Sequence, residues 1–160
     1  MSAEKTEHVH LIPKIERGIV IDHIPAGFGV TVLEIIRSYP GMKDVVTTVG
    51  LNYESTKLGR KDMLKLVTDE LAPEVLAHLS LVTPGISIKR IRAYQVDKKL
   101  VIQTPAEITG KARCRNPNCI SNHERNAVTG FRATRRDPGR YRCVYCERVF
   151  LLGELELITS

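Results

Sequence analysis

The sequence predicts an α+β chain in two parts, a ferredoxin-like β-α-β-β-α-β domain followed by a small antiparallel β domain. Three observations carry this. Strand-length apolar runs alternate with two stretches of helical spacing through residues 1–103. Residues 104–160 hold short apolar runs broken by turn signals, and all four cysteines. The charge is uneven as well: residues 1–103 carry a net +2, while residues 104–160 carry +4, with nine Arg and a single Lys, Lys111.

The elements follow in order. Residues 18–24 (Gly-Ile-Val-Ile-Asp-His-Ile) read as a buried strand ending at Pro25-Ala26-Gly27. Phe28, Val32, Ile35 and Ile36 then recur at i, i+4, i+7 and i+8, one face of a helix that Pro40-Gly41 ends. Residues 45–49 form a second strand, 52–57 a turn or excursion, and 61–67 a third strand. Leu71, Val75, Leu79 and Val82 return to helical spacing, with Pro73 in the first turn and Pro84-Gly85 as the stop. Residues 86–96 make a long last strand whose alternation slips between Ile88 and Ile91, as a bulge would require. Two helices on one face of such a sheet leave the other face free for a ligand or partner. Thr104-Pro105-Ala106-Glu107 leads out of the last strand and separates residues 1–103 from 104–160.

Composition sets the class. The chain has 160 residues, 42% hydrophobic and 26% charged, as expected of a soluble globular protein. No apolar run approaches the roughly 18 residues of a membrane span, so no membrane association is expected. Met1-Ser2-Ala3-Glu4-Lys5 opens a polar stretch without an apolar signal core, which points to the cytoplasm and to reduced thiols. The net charge of +6 suits an anionic partner.

The cysteine spacing is Cys114-x4-Cys119-x23-Cys143-x2-Cys146. Two close thiolate pairs on tight turns suit a tetrahedral zinc ion, and Arg115-Asn116-Pro117-Asn118 fits the first turn. Two disulfides, or a redox-active Cys143/Cys146 pair, are the alternatives. Reduced thiols weigh against the first, and the lack of a following amphipathic helix weighs against the second. Four thiolates leave no open coordination position, so the zinc, one per chain, is structural. His123 is a conceivable substitute ligand. A core of about 55 residues is marginal by area burial, and metal binding would supply the missing folding free energy. The second part is therefore expected to be a small zinc-bound antiparallel β domain, with a turn at Asp137-Pro138-Gly139.

No catalytic signature stands out. There is no Walker loop and no GxGxxG, and Gly27-Phe28-Gly29 is too short for a phosphate loop. Asp22-His23 closes an apolar strand with two polar residues, either as an acid and base or simply as a strand end satisfying a turn. Lys61, Lys65, Lys89, Lys98 and Lys99 come from the third and fourth strands and the turn after them, and can converge on one end of the sheet to hold phosphates. Singly, each is more often a solvated surface lysine. His8, His10 and His78 receive no role. An Arg-rich zinc ribbon reading nucleic acid competes with this view, but Glu147, Glu154 and Glu156 crowd the module and stacking aromatics are few, so no nucleic-acid partner is expected.

Taken together, Gly18 to Ala26 (GIVIDHIPA), Gly50-Leu51-Asn52, Gly59-Arg60-Lys61-Asp62, the four cysteines, Asn118-Cys119-Ile120-Ser121 and Tyr145-Cys146-Glu147 resemble the regulatory chain of aspartate carbamoyltransferase over nearly the whole length. The resemblance implies a non-catalytic subunit of pyrimidine biosynthesis whose first domain binds the effectors CTP and ATP, often with UTP. It implies that Asp22 and His23 belong to the nucleotide site, with Lys65 near ribose or base, Lys99 near phosphate, and Lys61 as a further basic position. Ile15, Val20, Ile91, Tyr94 and Val96 match the wall around base and sugar. The zinc domain would meet the catalytic chain through Asn116, Asn118, Glu147 and Arg148. The assembly implied is two catalytic trimers joined by three regulatory dimers. Lys89 stands where the best-known members have a polar amide, and Lys14 and Pro13 replace an acidic and a small residue near the base-recognition segment.

Overall fold

The computed structural model describes residues 12–137 and 139–158; His8, His10 and Pro138 lie outside the described residues. The chain divides into two compact units. One comprises residues up to Leu79 with Gly85–Ile102, and the other Ser80–Pro84 with the residues from Gln103 onward.

The first unit runs β1 (Arg17–Pro25), α1 (Gly29–Ser38), β2 (Thr47–Ser55), β3 (Gly59–Leu66), α2 (Pro73–Val82, whose residues from Ser80 belong to the second unit), β4 (Ser87–Arg92) and β5 (Gln95–Val101). Its sheet has the order β2-β3-β1-β4-β5 and is antiparallel throughout. The first four strands have the expected ferredoxin-like order. Ile19, Ile21, Leu64, Leu66 and Ile88 pack on one face with Val32 and Ile36 of α1 and Val75 and Leu79 of α2. Burial of this apolar area drives the unit together.

Three expectations are corrected here. The long strand over residues 86–96 is a hairpin, because Ala93 and Tyr94 both take left-handed backbone (φ 49° and 64°) and reverse the chain. That geometry is the two-residue turn normally given to Asn-Gly, so alternation alone read through it. The expected slip is present, as a register shift between Arg90 and Ile91. Second, residues 52–55 are strand, not excursion. Asn52 (φ 62°) bulges the strand and pairing with β3 resumes at Tyr53. Third, Phe28 precedes α1 and is exposed, instead of joining its apolar face.

Asp62 explains where α1 starts. No acidic residue lies in the helix's first turn and Phe28 makes no side-chain cap. The Asp62 carboxylate on β3, almost wholly buried, accepts the N–H groups of Gly27 (3.0 Å) and Gly29 (2.8 Å) through Oδ2. Its Oδ1 accepts the Asn52 N–H at the β2 bulge (2.8 Å). A strand residue thus caps a helix and pins a bulge. A Cβ on Gly29 would lie 2.8 Å from the Asp62 Cβ, so the close approach requires glycine.

The second unit contains β6 (Glu107–Thr109), β7 (Ala112–Arg113), β8 (Gly130–Ala133), β9 (Arg140–Cys143), β10 (Val149–Leu151) and β11 (Glu156–Leu157). They form an antiparallel four-stranded sheet, β10-β9-β8-β6, and a two-stranded one, β11-β7. Ile108, Phe131, Tyr141 and Leu155 form the small core beside Cys114, Cys119 and Cys143. The buried Tyr141 hydroxyl donates to the Pro105 carbonyl (2.6 Å).

Replacing Asp62 with Ala strands three backbone donors at once. The expected result is a loss of about 3 kcal/mol in the first unit's stability, read by denaturant titration, with zinc content unchanged.

Candidate functional site

The face of the first sheet opposite the helices carries a row of lysines. Cross-strand pairing aligns Thr48, Lys65, Val20, Lys89 and Lys99 in one transverse row over all five strands. Gly18, Ile91 and Val96 make the adjoining row on β1, β4 and β5. Ile15 reaches over Gly18; a Cβ there would stand 3.1 Å from Ile15 Cδ1 and 2.2 Å from the Leu66 carbonyl oxygen, so the position admits only glycine. Tyr94, in its strained turn, is exposed and donates its N–H to the Glu16 carbonyl (3.1 Å). Strain of this kind is held by surrounding structure and concentrates where a side chain must be aimed.

Asp22 anchors the cluster. It is buried, and it accepts hydrogen bonds from Lys61 Nζ (2.8 Å), Lys89 Nζ (3.1 Å) and the His23 N–H (2.7 Å). Burial pushes its carboxyl up, but the bonds from Lys61, His23 and Lys89 outweigh this and hold it at about 2. His23 has left-handed backbone (φ 60°), and its Nδ1 lies 2.9 Å from Ser87 Oγ. Burial lowers its basicity, against the pull of Asp22. Burial likewise lowers the Lys65 ammonium, which donates to the Pro13 carbonyl (2.5 Å). Lys99 is exposed, directly opposite Lys89.

All the anticipated effector residues therefore lie in one unit. Val20, Lys65, Lys89 and Lys99 share a row, Asp22, His23, Lys61 and Lys89 share a charge cluster, and Ile15, Ile91, Tyr94 and Val96 lie along the neighbouring row and turn. Lys98 pairs with Arg90 on the strand, one place off the row. Sequence reasoning missed Ser87, which fixes the His23 ring, and the structural part of Asp62. Ser87 follows an apolar Ile86 with no local mark. Asp62 did stand beside Lys61 in a recognised motif.

The second unit brings the four cysteines together. None is in a disulfide, and their sulfurs all lie within 4.8 Å of one another. Cys114 Sγ is 3.6 Å from Cys146 Sγ, and Cys119 Sγ is 3.8 Å from Cys143 Sγ. A tetrahedral zinc with Zn–S of about 2.3 Å requires sulfurs about 3.8 Å apart, whereas a disulfide requires about 2.05 Å. The donor set thus fits a structural zinc held by Cys114, Cys119, Cys143 and Cys146. Burial pushes the Cys114 and Cys143 thiols up, so their ionisation calls for a cation among them. Against its partial burial, the Arg148 N–H and the Asn116 side chain bring Cys146 down to about 7. The Ser121 hydroxyl lies 3.1 Å from Cys119 Sγ. The Asn122 amide binds the carbonyls of Cys114 and Asn116 (2.8 and 2.9 Å). His123 is turned away, with Nε2 on the Pro117 carbonyl (2.7 Å), and is not a ligand in this geometry. Asn116 is buried in the knuckle, its Oδ1 accepting the Asn118 N–H, while Asn118, Glu147 (φ 60°) and Arg148 are exposed.

A cationic sheet face braced by a buried carboxylate, joined in one chain to a closed four-thiolate centre, defines a two-module binding protein with a structural metal. Comparison with known proteins makes this specific. The family model described as the aspartate carbamoyltransferase regulatory chain, allosteric domain, matches residues 10–103, and the metal binding domain of the same regulatory chain matches residues 106–155. The aspartate carbamoyltransferase regulatory chain of Pyrobaculum neutrophilum is 42% identical over 146 residues, covering 91% of this chain and 96% of the relative. That of Pyrococcus abyssi is 41% identical over 149 residues (93% and 96%), and that of Caldivirga maquilingensis 40% over 156 residues (97% and 94%). The chain belongs to the family of aspartate carbamoyltransferase regulatory chains, and as such it is a non-catalytic subunit. No helix among the described residues is long and apolar enough to cross a membrane.

Two outcomes are expected. Cys114→Ala should lose its zinc to a chelator and lose amide protection in the second unit, read by metal analysis and hydrogen exchange. Asp22 contributes stability above its unfolded value near 4, on the order of 2 kcal/mol, lost as pH falls toward its folded value of about 2. The stability gap between wild type and Asp22→Asn should therefore close across that window, in denaturation midpoints taken as a function of pH.

Proposed function

We propose that this chain confers nucleotide control on an aspartate carbamoyltransferase catalytic chain, with residues 1–103 as the effector domain and residues 104–160 as the docking domain. CTP and ATP are the effectors, with UTP as a further one. The observation that carries the reading is the row Lys65–Val20–Lys89–Lys99, flanked on its central strand by Asp22 and His23, within the segment that matches the allosteric-domain model. Lys99 and Lys89 offer paired ammonium groups to a phosphate chain. Lys65 and Asp22 suit ribose hydroxyls, with Lys61 steadying Asp22. Ile15, Val20, Ile91, Tyr94 and Val96 supply an apolar wall for base and sugar.

The zinc module docks the catalytic chain through Asn118, Glu147 and Arg148, with Asn116 shaping the knuckle that presents them. Zinc suits this task because it holds a small interface rigid without a large core. Control passes by rotation of subunits in an assembly of two catalytic trimers and three regulatory dimers in the cytoplasm.

Calorimetric titration of the zinc-loaded chain with CTP and with ATP tests the site. Saturable binding at one site per chain is expected, weakened about tenfold or more by Lys99→Ala and by Asp22→Ala, with zinc content unaltered. Unchanged affinity in both variants would remove the site from this face.

A further inference from the structure

The outer face of the second unit's four-stranded sheet presents an arrangement that its own fold does not satisfy. Ile108, Phe131, Tyr141 and Cys143 occupy the inner face. On the outer face, pairing sets Glu107, Arg132, Arg142 and Val149 in one transverse row across β6, β8, β9 and β10. Arg140 and Leu151 stand paired in the next row. Arg132 and Arg142 are thus directly opposite one another, and like charges so placed destabilise a sheet. Arg132 has a carboxylate, Glu107, with Nε 3.2 Å from Oε1, and Arg140 has Asp137. Arg142 has no carboxylate partner among the described residues. Beside it, Val149 and Leu151 are 39% and 45% exposed, forming an apolar margin on edge strand β10.

Two guanidinium groups at strand spacing form a fork for a carboxylate, and an adjoining apolar strip is what a protein surface covers and a nucleic acid does not. Glu107 in the same row would repel a phosphate backbone, and among the described residues of these strands no aromatic side chain stands on this face for stacking. We infer that the outer face of this sheet, centred on Arg132 and Arg142, is a second docking surface, taking an acidic patch with an apolar neighbour on the catalytic chain. The inference rests on the proposed pairing with a catalytic chain, and adds to the zinc knuckle a surface that acts through charge. A partner carboxylate placed between the two arginines would relieve their repulsion, so the cost built into the free chain becomes a gain on assembly.

The test is assembly of the full zinc-loaded chain with its catalytic chain, followed by sedimentation across a salt series. Arg142→Glu should weaken assembly at least about tenfold, most at low salt, while Arg142→Lys stays within a few fold of wild type. Arg37→Glu, an equal charge reversal on the exposed side of α1, should assemble as wild type. Zinc content and hydrogen-exchange protection in each variant separate loss of docking from loss of fold. Wild-type assembly by a folded Arg142→Glu variant would overturn the inference and leave the pairing intact. Failure of the wild-type chain to assemble would overturn both. Loss of binding to a random DNA duplex in Arg142→Glu, with assembly unaffected, would reassign the face to nucleic acid.

Discussion

Asp22 sits near the end of an apolar strand and accepts hydrogen bonds from Lys61, Lys89 and the His23 N–H. Without it, the open face of the first sheet would hold a row of lysines with no internal counter-charge, Lys89 and Lys99 directly opposite each other. With it, the cations are held at fixed places while part of their charge remains available to a ligand. The bond network keeps the carboxyl ionised although burial opposes this. The order of the site, and the local stability of the sheet's open face, depend on this one group.

The zinc module solves the inverse problem. Burial holds the Cys114 and Cys143 thiols back from ionising, and a cation at the centre of the four sulfurs removes that resistance. The same ion ties two turns 24 residues apart in sequence, Cys119 to Cys143, into one small core. In both units, charge that would be unfavourable alone is gathered around an opposite charge, a carboxylate in one and a metal ion in the other. Arg142, opposite Arg132 on the outer face of the second unit's sheet, is the exception: among the described residues it has no carboxylate partner.

Much of this was legible in the chain. Helical and strand periods around Val32, Ile36, Val75 and Leu79 placed both helices, and the cysteine spacing declared the metal centre. The hairpin at Ala93-Tyr94 was not legible. Its turn uses neither Asn nor Gly, so the backbone reversal has no local mark, and the slip in alternation between Ile88 and Ile91 reads as a bulge within one strand. The Asn52 bulge hid for a related reason: the residue reads as turn, while Asp62, ten positions later, holds it in the sheet.

Local chemistry by itself determined the division into two modules, the places of both helices and the cysteine cluster, because period and spacing are properties of neighbours in the chain. Only the tertiary structure decided which lysines share a row, that Asp22 takes Lys61 and Lys89 together, that Asp62 caps a helix from a strand, and that Arg132 faces Arg142. Each of these depends on strand register and on the bulges that shift it. Register is set by the burial of whole faces, and no single stretch of sequence contains that information.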